Sequence, residues 1–152
     1  MVMTEGETAI ADANLFLGAF QGTRANHDAC LHLMEQAEEG HFRLLVSNQI
    51  LREVLVVSTR PRENNGLGAT VAEAIKNQNV ILSICLLLPE DDAVAETLHD
   101  LVAKYDLKGK RIHDANIAAT ALRHGFTKIL TANPKDFAKI SEIEVVPIPS
   151  LA

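Results

Sequence analysis

The stretch that decides the fold runs from Lys108 to Phe137, KGKRIHDANIAATALRHGFTKILTANPKDF. It opens as a polar loop; its spacing predicts a helix from near Arg111 to a break at Gly125, then a short apolar strand from Lys128 to Thr131. A polar turn holding Asn133 and Asp136 closes it. Within the helix Ala118 and Ala121 share the face of Asp114 at i+4 and i+7, so that face has little bulk and can lie close against a neighbour. A carboxylate drawn toward a packed surface is costly unless a cation or hydrogen-bond donors meet it. The strand then delivers a second polar cluster beyond its carboxyl end, where open α/β sheets hold their sites.

Upstream, after an irregular start over Met1–Glu7, Thr8 to Asp12 reads as a strand despite the weak strand formers Ala9 and Ala11, because its last residue presents an acid just before the helical LFLGAF. Asp12 alone is equally a helix cap. Helical spacing recurs from about Ala25 to Glu39 and stops at Gly40, Phe42 to Val46 is a short strand, and Ser47 or Asn48 caps a helix to about Ser58. In that helix Glu53 is expected on one face with Ile50, Val56 and Val57. Arg60 to Gly68 is a turn-rich loop, and a helix follows from about Ala69 to Asn77. The apolar run Val80 to Leu88 either extends that helix or contains a strand. Past Pro89, the acids Glu90 to Asp92 open a helix from about Asp91 to Lys104 with Val94, Leu98, Leu101 and Val102 inward; Ile143 to Ile148 reads as a last strand, ended by Pro149. Helices separated by short apolar strands predict a mostly parallel sheet sandwiched by helices in a single domain, residues 1–152.

Composition narrows the function. The chain has 152 residues, of which 47% are hydrophobic and 4% aromatic, so it has an aliphatic core and lacks an aromatic platform for stacked bases. The 14 Lys and Arg against 20 Asp and Glu leave a net charge of -6, which opposes long-range capture of nucleic acid but not nuclease chemistry at a local basic rim or a bound metal. Arg60, Arg62, Lys108, Lys110 and Arg111 read first as a solvated rim, with contact to RNA phosphates at the mouth of a groove as the functional alternative. Cys30 and Cys85 have no CxxC or paired-His spacing and are expected as buried free thiols. His113 reads as a structural or capping side chain, and His124 suits a helix C-terminus. Without a basic leader or an apolar span long enough for a bilayer, the expectation is a reduced, soluble, cytoplasmic protein with no membrane contact.

Asp12, Glu53, Asp114 and the Asn133–Asp136 turn come from four elements that such a sheet brings to one edge. Carboxylates gathered without matching cations require protonation or a hard cation, and all-oxygen donors suit Mg²⁺ or Mn²⁺. One or two such ions support phosphodiester hydrolysis. The serines lack a GxSxG setting, and no rival nucleophile is evident.

The segments ADANLFLGAF, SNQILREVLVVSTRPR, KGKRIHDANIAATALRHG and ILTANPKDF, in that order, resemble the PIN-domain family, and within it the VapC-type toxins of toxin–antitoxin pairs. The resemblance implies a PIN-like three-layer α/β/α sandwich and a Mg²⁺- or Mn²⁺-dependent endoribonuclease, usually dimeric, inhibited by a cognate antitoxin protein. By motif position it implies Asp12, Glu53 and Asp114 as metal-binding and catalytic acids, with Asp136 as a further catalytic acid and Asn133 as a further metal ligand. Asn133 stands where many relatives have Asp, so it offers a carbonyl oxygen without charge. Asn14, Thr131 and Arg111 are expected to support these ligands or contact the RNA substrate. Two alternatives stay open. One is a PIN scaffold that binds RNA or protein without cutting. The other is a phosphatase of the haloacid-dehalogenase type, for which Asn14 replaces the second Asp of the required pair.

Overall fold

The computed structural model describes residues 2–149. Met1, where the irregular start was expected to begin, and residues 150–152 of the expected single domain lie outside the described residues. The strands are β1 (Thr8–Ala11), β2 (Arg43–Ser47), β3 (Leu86–Leu88), β4 (Lys128–Thr131) and β5 (Glu144–Pro147); the α-helices are α1 (Ala13–Phe20), α2 (His27–Glu38), α3 (Asn48–Thr59), α4 (Val71–Ile84), α5 (Asp92–Tyr105) and α6 (Arg111–Arg123). Single 3₁₀ turns lie at Arg62–Asn64 and Pro134–Phe137.

All four strand pairings are parallel, in the order β3-β2-β1-β4-β5. From β1 the chain steps through β2 to β3 at one edge, then crosses back to lay β4 against the other side of β1. The carboxyl ends of β1 and β4 therefore flank the point where the winding direction reverses, the usual crevice of such sheets. Helices α1 to α4 pack among themselves and α5 packs on α6, so two helical layers enclose the sheet in an α/β/α sandwich.

Burial explains the weak strand formers of β1. Ala9, Ile10 and Ala11 are each 0% exposed, and a strand paired on both sides and covered on both faces needs apolar bulk of the right size more than intrinsic propensity. The run Val80 to Leu88 turns out to be both things: α4 continues to Ile84, Cys85 ends it, and Leu86–Leu88 form the edge strand on β2. Thr70 and Glu73 close a reciprocal cap at the start of α4. Cys30 and Cys85 are buried free thiols, as expected, and burial pushes them up to about 11 and about 12. Among the described residues no helix is long and apolar enough to cross a membrane.

The expected face of α3 needs correction. Its buried stripe is Gln49, Ile50, Leu51, Val54 and Ser58, whereas Val56 is 52% exposed and Glu53 sits at the border between the stripe and solvent. A rotation of about 100° per residue separates Val54 from Val56 by more than half a turn.

Helix α1 meets α2 closely because Gly18 lacks a side chain: an added Cβ would stand 2.6 Å from Cys30 Sγ and 2.9 Å from Asn26 Oδ1. Gly18→Ala is expected to cost about 1–3 kcal/mol in urea unfolding, with part of the loss recovered by adding Cys30→Ala. Equal costs in the two backgrounds would place the strain elsewhere.

Candidate active site at the carboxyl edge of the sheet

Asp12 follows β1 directly and caps α1, its Oδ1 accepting from the Ala13 amide at 2.9 Å. Its Oδ2 accepts from the Thr131 hydroxyl at 2.8 Å and from Asn14 Nδ2 at 3.3 Å. Thr131, 0% exposed at the end of β4, also accepts from the Asn133 amide at 3.0 Å. Asn14 is spent at both ends, since Nδ2 also reaches Thr131 Oγ1 at 3.2 Å and Oδ1 accepts from the Ala132 amide at 3.0 Å. Parallel pairing of β1 with β4 thus fixes a carboxylate across the crevice by an interlocked set of short side chains.

Glu53 approaches from α3, Asp114 from the first turn of α6, and Asp136 from the 3₁₀ turn after β4. Desolvation raises all three of the acids Asp12, Glu53 and Asp114, and mutual repulsion adds to it. Asp114 is pushed up to about 6, first by burial, then by the charges of Asp136 and Asp12, with Arg111 pulling the other way and Glu53 adding a lesser push. Asp12 is raised by Asp136 as well, and Glu53 by Asp12. The four carboxylates therefore share one electrostatic neighbourhood, although among the described residues no three His, Cys, Asp or Glu side chains close on a common point. Asn133 is exposed and contributes its backbone amide to Thr131.

Glu53, Asp114 and Asp136 lie along a groove. A hollow of about 570 Å³ is lined by Lys110, Arg111, His113, Asp114 and Asp136. It shares Arg111 and Asp136 with a hollow of about 200 Å³ that adds Lys135 and Lys139 above Leu107 and Ile140. On the other side it shares His113 with one of about 400 Å³ that adds Glu53, Arg52 and Arg60. Arg111 also donates to Asp136 at 3.4 Å.

The expected rim is thereby redrawn. Arg60, Lys110 and Arg111 line the groove, whereas Lys108 pairs with Asp106 at 3.3 Å and Arg62 donates to the Leu67 carbonyl at 3.3 Å inside its own loop. Sequence reasoning missed Arg52, Lys135 and Lys139, and it missed Gln49, a 4% exposed side chain that donates to Glu53 Oε1 at 3.0 Å. The i,i+4 spacing of Gln49 and Glu53 was the available signal.

The PIN-domain family model matches residues 9–143. The chain belongs to the PIN-domain family. A ribonuclease VapC of Rickettsia bellii is 34% identical to this PIN domain over 106 residues, which span 66% of this chain and 72% of the relative. Among solved structures, a toxin–antitoxin complex from Klebsiella pneumoniae superposes with a TM-score of 0.65 at 25% identity, covering 93% of this chain and 98% of the other. VapBC2 from Rickettsia felis bound to a promoter DNA fragment gives a TM-score of 0.69 at 14% identity, covering 91% and 96%, and so speaks for the fold alone.

The raised Asp114 sets a pH dependence for the metal-free PIN domain. Between its ordinary 3.8 and about 6 the folded chain holds a proton that the unfolded chain has released, so this group's contribution to stability falls as pH rises through that window. Solvent screening of a half-buried group limits the effect to about 1 kcal/mol. Asp114→Asn is expected to be more stable than the parent above pH 6, with the gap closing toward pH 4 in urea unfolding. A gap independent of pH would contradict the desolvated cluster.

Proposed function

We propose that this PIN domain, residues 1–152, is a Mg²⁺- or Mn²⁺-dependent endoribonuclease and the toxin of a type II toxin–antitoxin pair. The observation that carries the reading is the groove: Asp114 and Asp136 stand midway along it within reach of the Asp12 charge, Lys135 and Lys139 lie toward one end, and Glu53 stands with Arg52 and Arg60 toward the other. A chain of phosphates can pass through and meet cations on both sides of the acids, the arrangement an internal cut requires.

The donor set fits a hard divalent ion. It is all oxygen, half desolvated, and self-repelling without cationic partners of matching number. Asp12, Glu53 and Asp114 would hold the ion, with Asp136 adding charge and Asn133 a neutral carbonyl oxygen. When bound, the ion lowers the pKa of a coordinated water and offsets charge on the phosphate oxygens. Thr131 and Asn14 keep the Asp12 carboxylate aimed outward from β1. Arg111, at the groove wall beside Asp136, meets a phosphate oxygen of RNA. The commitment of Asn14 to Thr131 and Ala132 disfavours a phosphoaspartate route, in which the residue two after the nucleophile works on substrate.

The antitoxin is carried over from relatives such as the Klebsiella pneumoniae complex. Exposed Val56, Val71, Ile75 and Leu82 on α3 and α4 offer apolar surface for that partner or for a second copy in a homodimer. The reading entails action in the cytoplasm, where RNA and antitoxin are made.

Asp12→Asn, Glu53→Gln and Asp114→Asn are each expected to lower Mg²⁺-dependent cleavage of RNA at least about a hundredfold, the loss of several kcal/mol of transition-state stabilisation, while leaving the metal-free fold as stable or more so. Intact cleavage with lowered stability in all three would overturn the assignment. Asp136→Asn is expected to weaken Mn²⁺ binding in a calorimetric titration more than Asn133→Ala does. The reverse order would move the fourth position back to Asn133.

A further inference from the structure

Gln49 is the most fully committed polar side chain near the acids that has no role in the reading above. It stands in the first turn of α3, two residues after the cap Ser47, and is 4% exposed. Its Nε2 donates to Glu53 Oε1 at 3.0 Å and to the His113 carbonyl at 2.9 Å, and its Oε1 accepts from Asn116 Nδ2 at 2.6 Å. Its backbone amide donates to Glu90 Oε1 at 3.3 Å.

The amide can sit only one way round. A carboxylate oxygen and a carbonyl oxygen face its NH₂, and neither donates, so a flipped amide would set oxygen against oxygen twice. Both N–H groups and the carbonyl oxygen are then satisfied, and a buried amide so held has a single orientation. Two of its partners, His113 and Asn116, flank Asp114 on α6. The remaining side-chain partner is Glu53 on its own helix, whose Oε2 has no hydrogen-bond partner among the described residues.

Helices α3 and α6 belong to different layers of the sandwich. We propose that Gln49 is a positioning residue: its side-chain amide ties Glu53 to the turn of α6 that carries Asp114, setting the separation of two carboxylates that reach the site from opposite layers. This rests on the metal-site reading above. Gln49 touches neither substrate nor ion, and acts through Glu53. A wholly structural tie would hold the layers together equally well without bonding to Glu53.

The test uses the full chain, Gln49→Leu, and Gln78→Leu as control. Gln78 is also a helix-bridging glutamine, donating from α4 to the Leu51 carbonyl of α3 at 3.1 Å, but it has no link to the acids. Both variants are expected to lower the melting temperature. Gln49→Leu alone is expected to weaken Mn²⁺ binding about tenfold or more in calorimetric titration, and to lower kcat for RNA cleavage with little change in KM. In metal-free protein, Gln49→Leu is expected to speed amide hydrogen exchange over residues 113–116, which Gln78→Leu leaves unchanged. Asn116→Ala removes one arm of the network and folds with a smaller disturbance. It is expected to weaken Mn²⁺ binding two- to threefold, and to add nothing when combined with Gln49→Leu.

Mn²⁺ affinity retained in Gln49→Leu and Asn116→Ala, whatever their melting temperatures, would overturn the positioning role. If the parent chain itself binds no Mn²⁺, the metal reading fails, and hydrogen exchange alone decides whether Gln49 ties Glu53 to α6.

Discussion

The site depends on the parallel pairing of β1 with β4 at the point where the sheet reverses its winding. Ile10 and Ala11 register with Ile129 and Leu130, so the next residues on each strand, Asp12 and Thr131, leave the sheet side by side. That adjacency supplies Asp12 with a 2.8 Å hydrogen bond from Thr131, and helix α1 adds the Ala13 amide. These donors favour the charged form and work against the burial that raises this carboxylate. The other acids arrive on helices and turns whose starts the same edge aligns. A strand order that separated β1 from β4 would scatter them.

Repulsion among the acids is the cost of this arrangement, and the fold meets it with neutral groups rather than with ion pairs. Thr131, Asn14 and Gln49 donate to Asp12 and Glu53 without neutralising them. Arg111 lies close enough to reach Asp136, but at 3.4 Å and with both side chains half exposed the pair is a weak one. A site built this way keeps its negative charge available. Interlocked amides and hydroxyls also have fixed directions, so the carboxylate oxygens point where the network sets them.

Much of this was legible in the sequence because it is written in local signals. Gly125 after α6, the cap Ser47 before α3, and apolar runs ending at Asp12 and Thr131 mark elements whose order gives a parallel sheet. The illegible parts depend on contacts distant along the chain. Whether Leu86 to Leu88 extend α4 or pair with β2 is decided by the backbone of Leu45 to Ser47, some forty residues earlier. The face of Glu53 was misjudged because Val56 and Val57 look like core residues, yet α3 turns Val54 inward and leaves Val56 at the groove. Gln49 signals itself only through its i,i+4 spacing to Glu53, which does not tell whether it is buried. A buried glutamine in a first helical turn is distinguished from an exposed one only by partners such as His113 and Asn116, which lie more than sixty positions away.

The turn after β4 shows how packing overrides a motif position. Asn133 begins it with its amide bound to Thr131 Oγ1, which holds the backbone at the crevice while its side chain stays exposed. Pro134 then starts a 3₁₀ turn that ends on Phe137, 1% exposed, so the turn is pinned to the core one residue past Asp136. Burying Phe137 swings Asp136 back toward α6, where its charge adds to the desolvation that raises both Asp12 and Asp114. Negative charge therefore reaches the fourth corner of the cluster from three positions downstream of the motif residue. The neutral side chain at 133 then does not leave the cluster without a fourth carboxylate: Asp136 supplies one at the wall of the groove, beside Arg111.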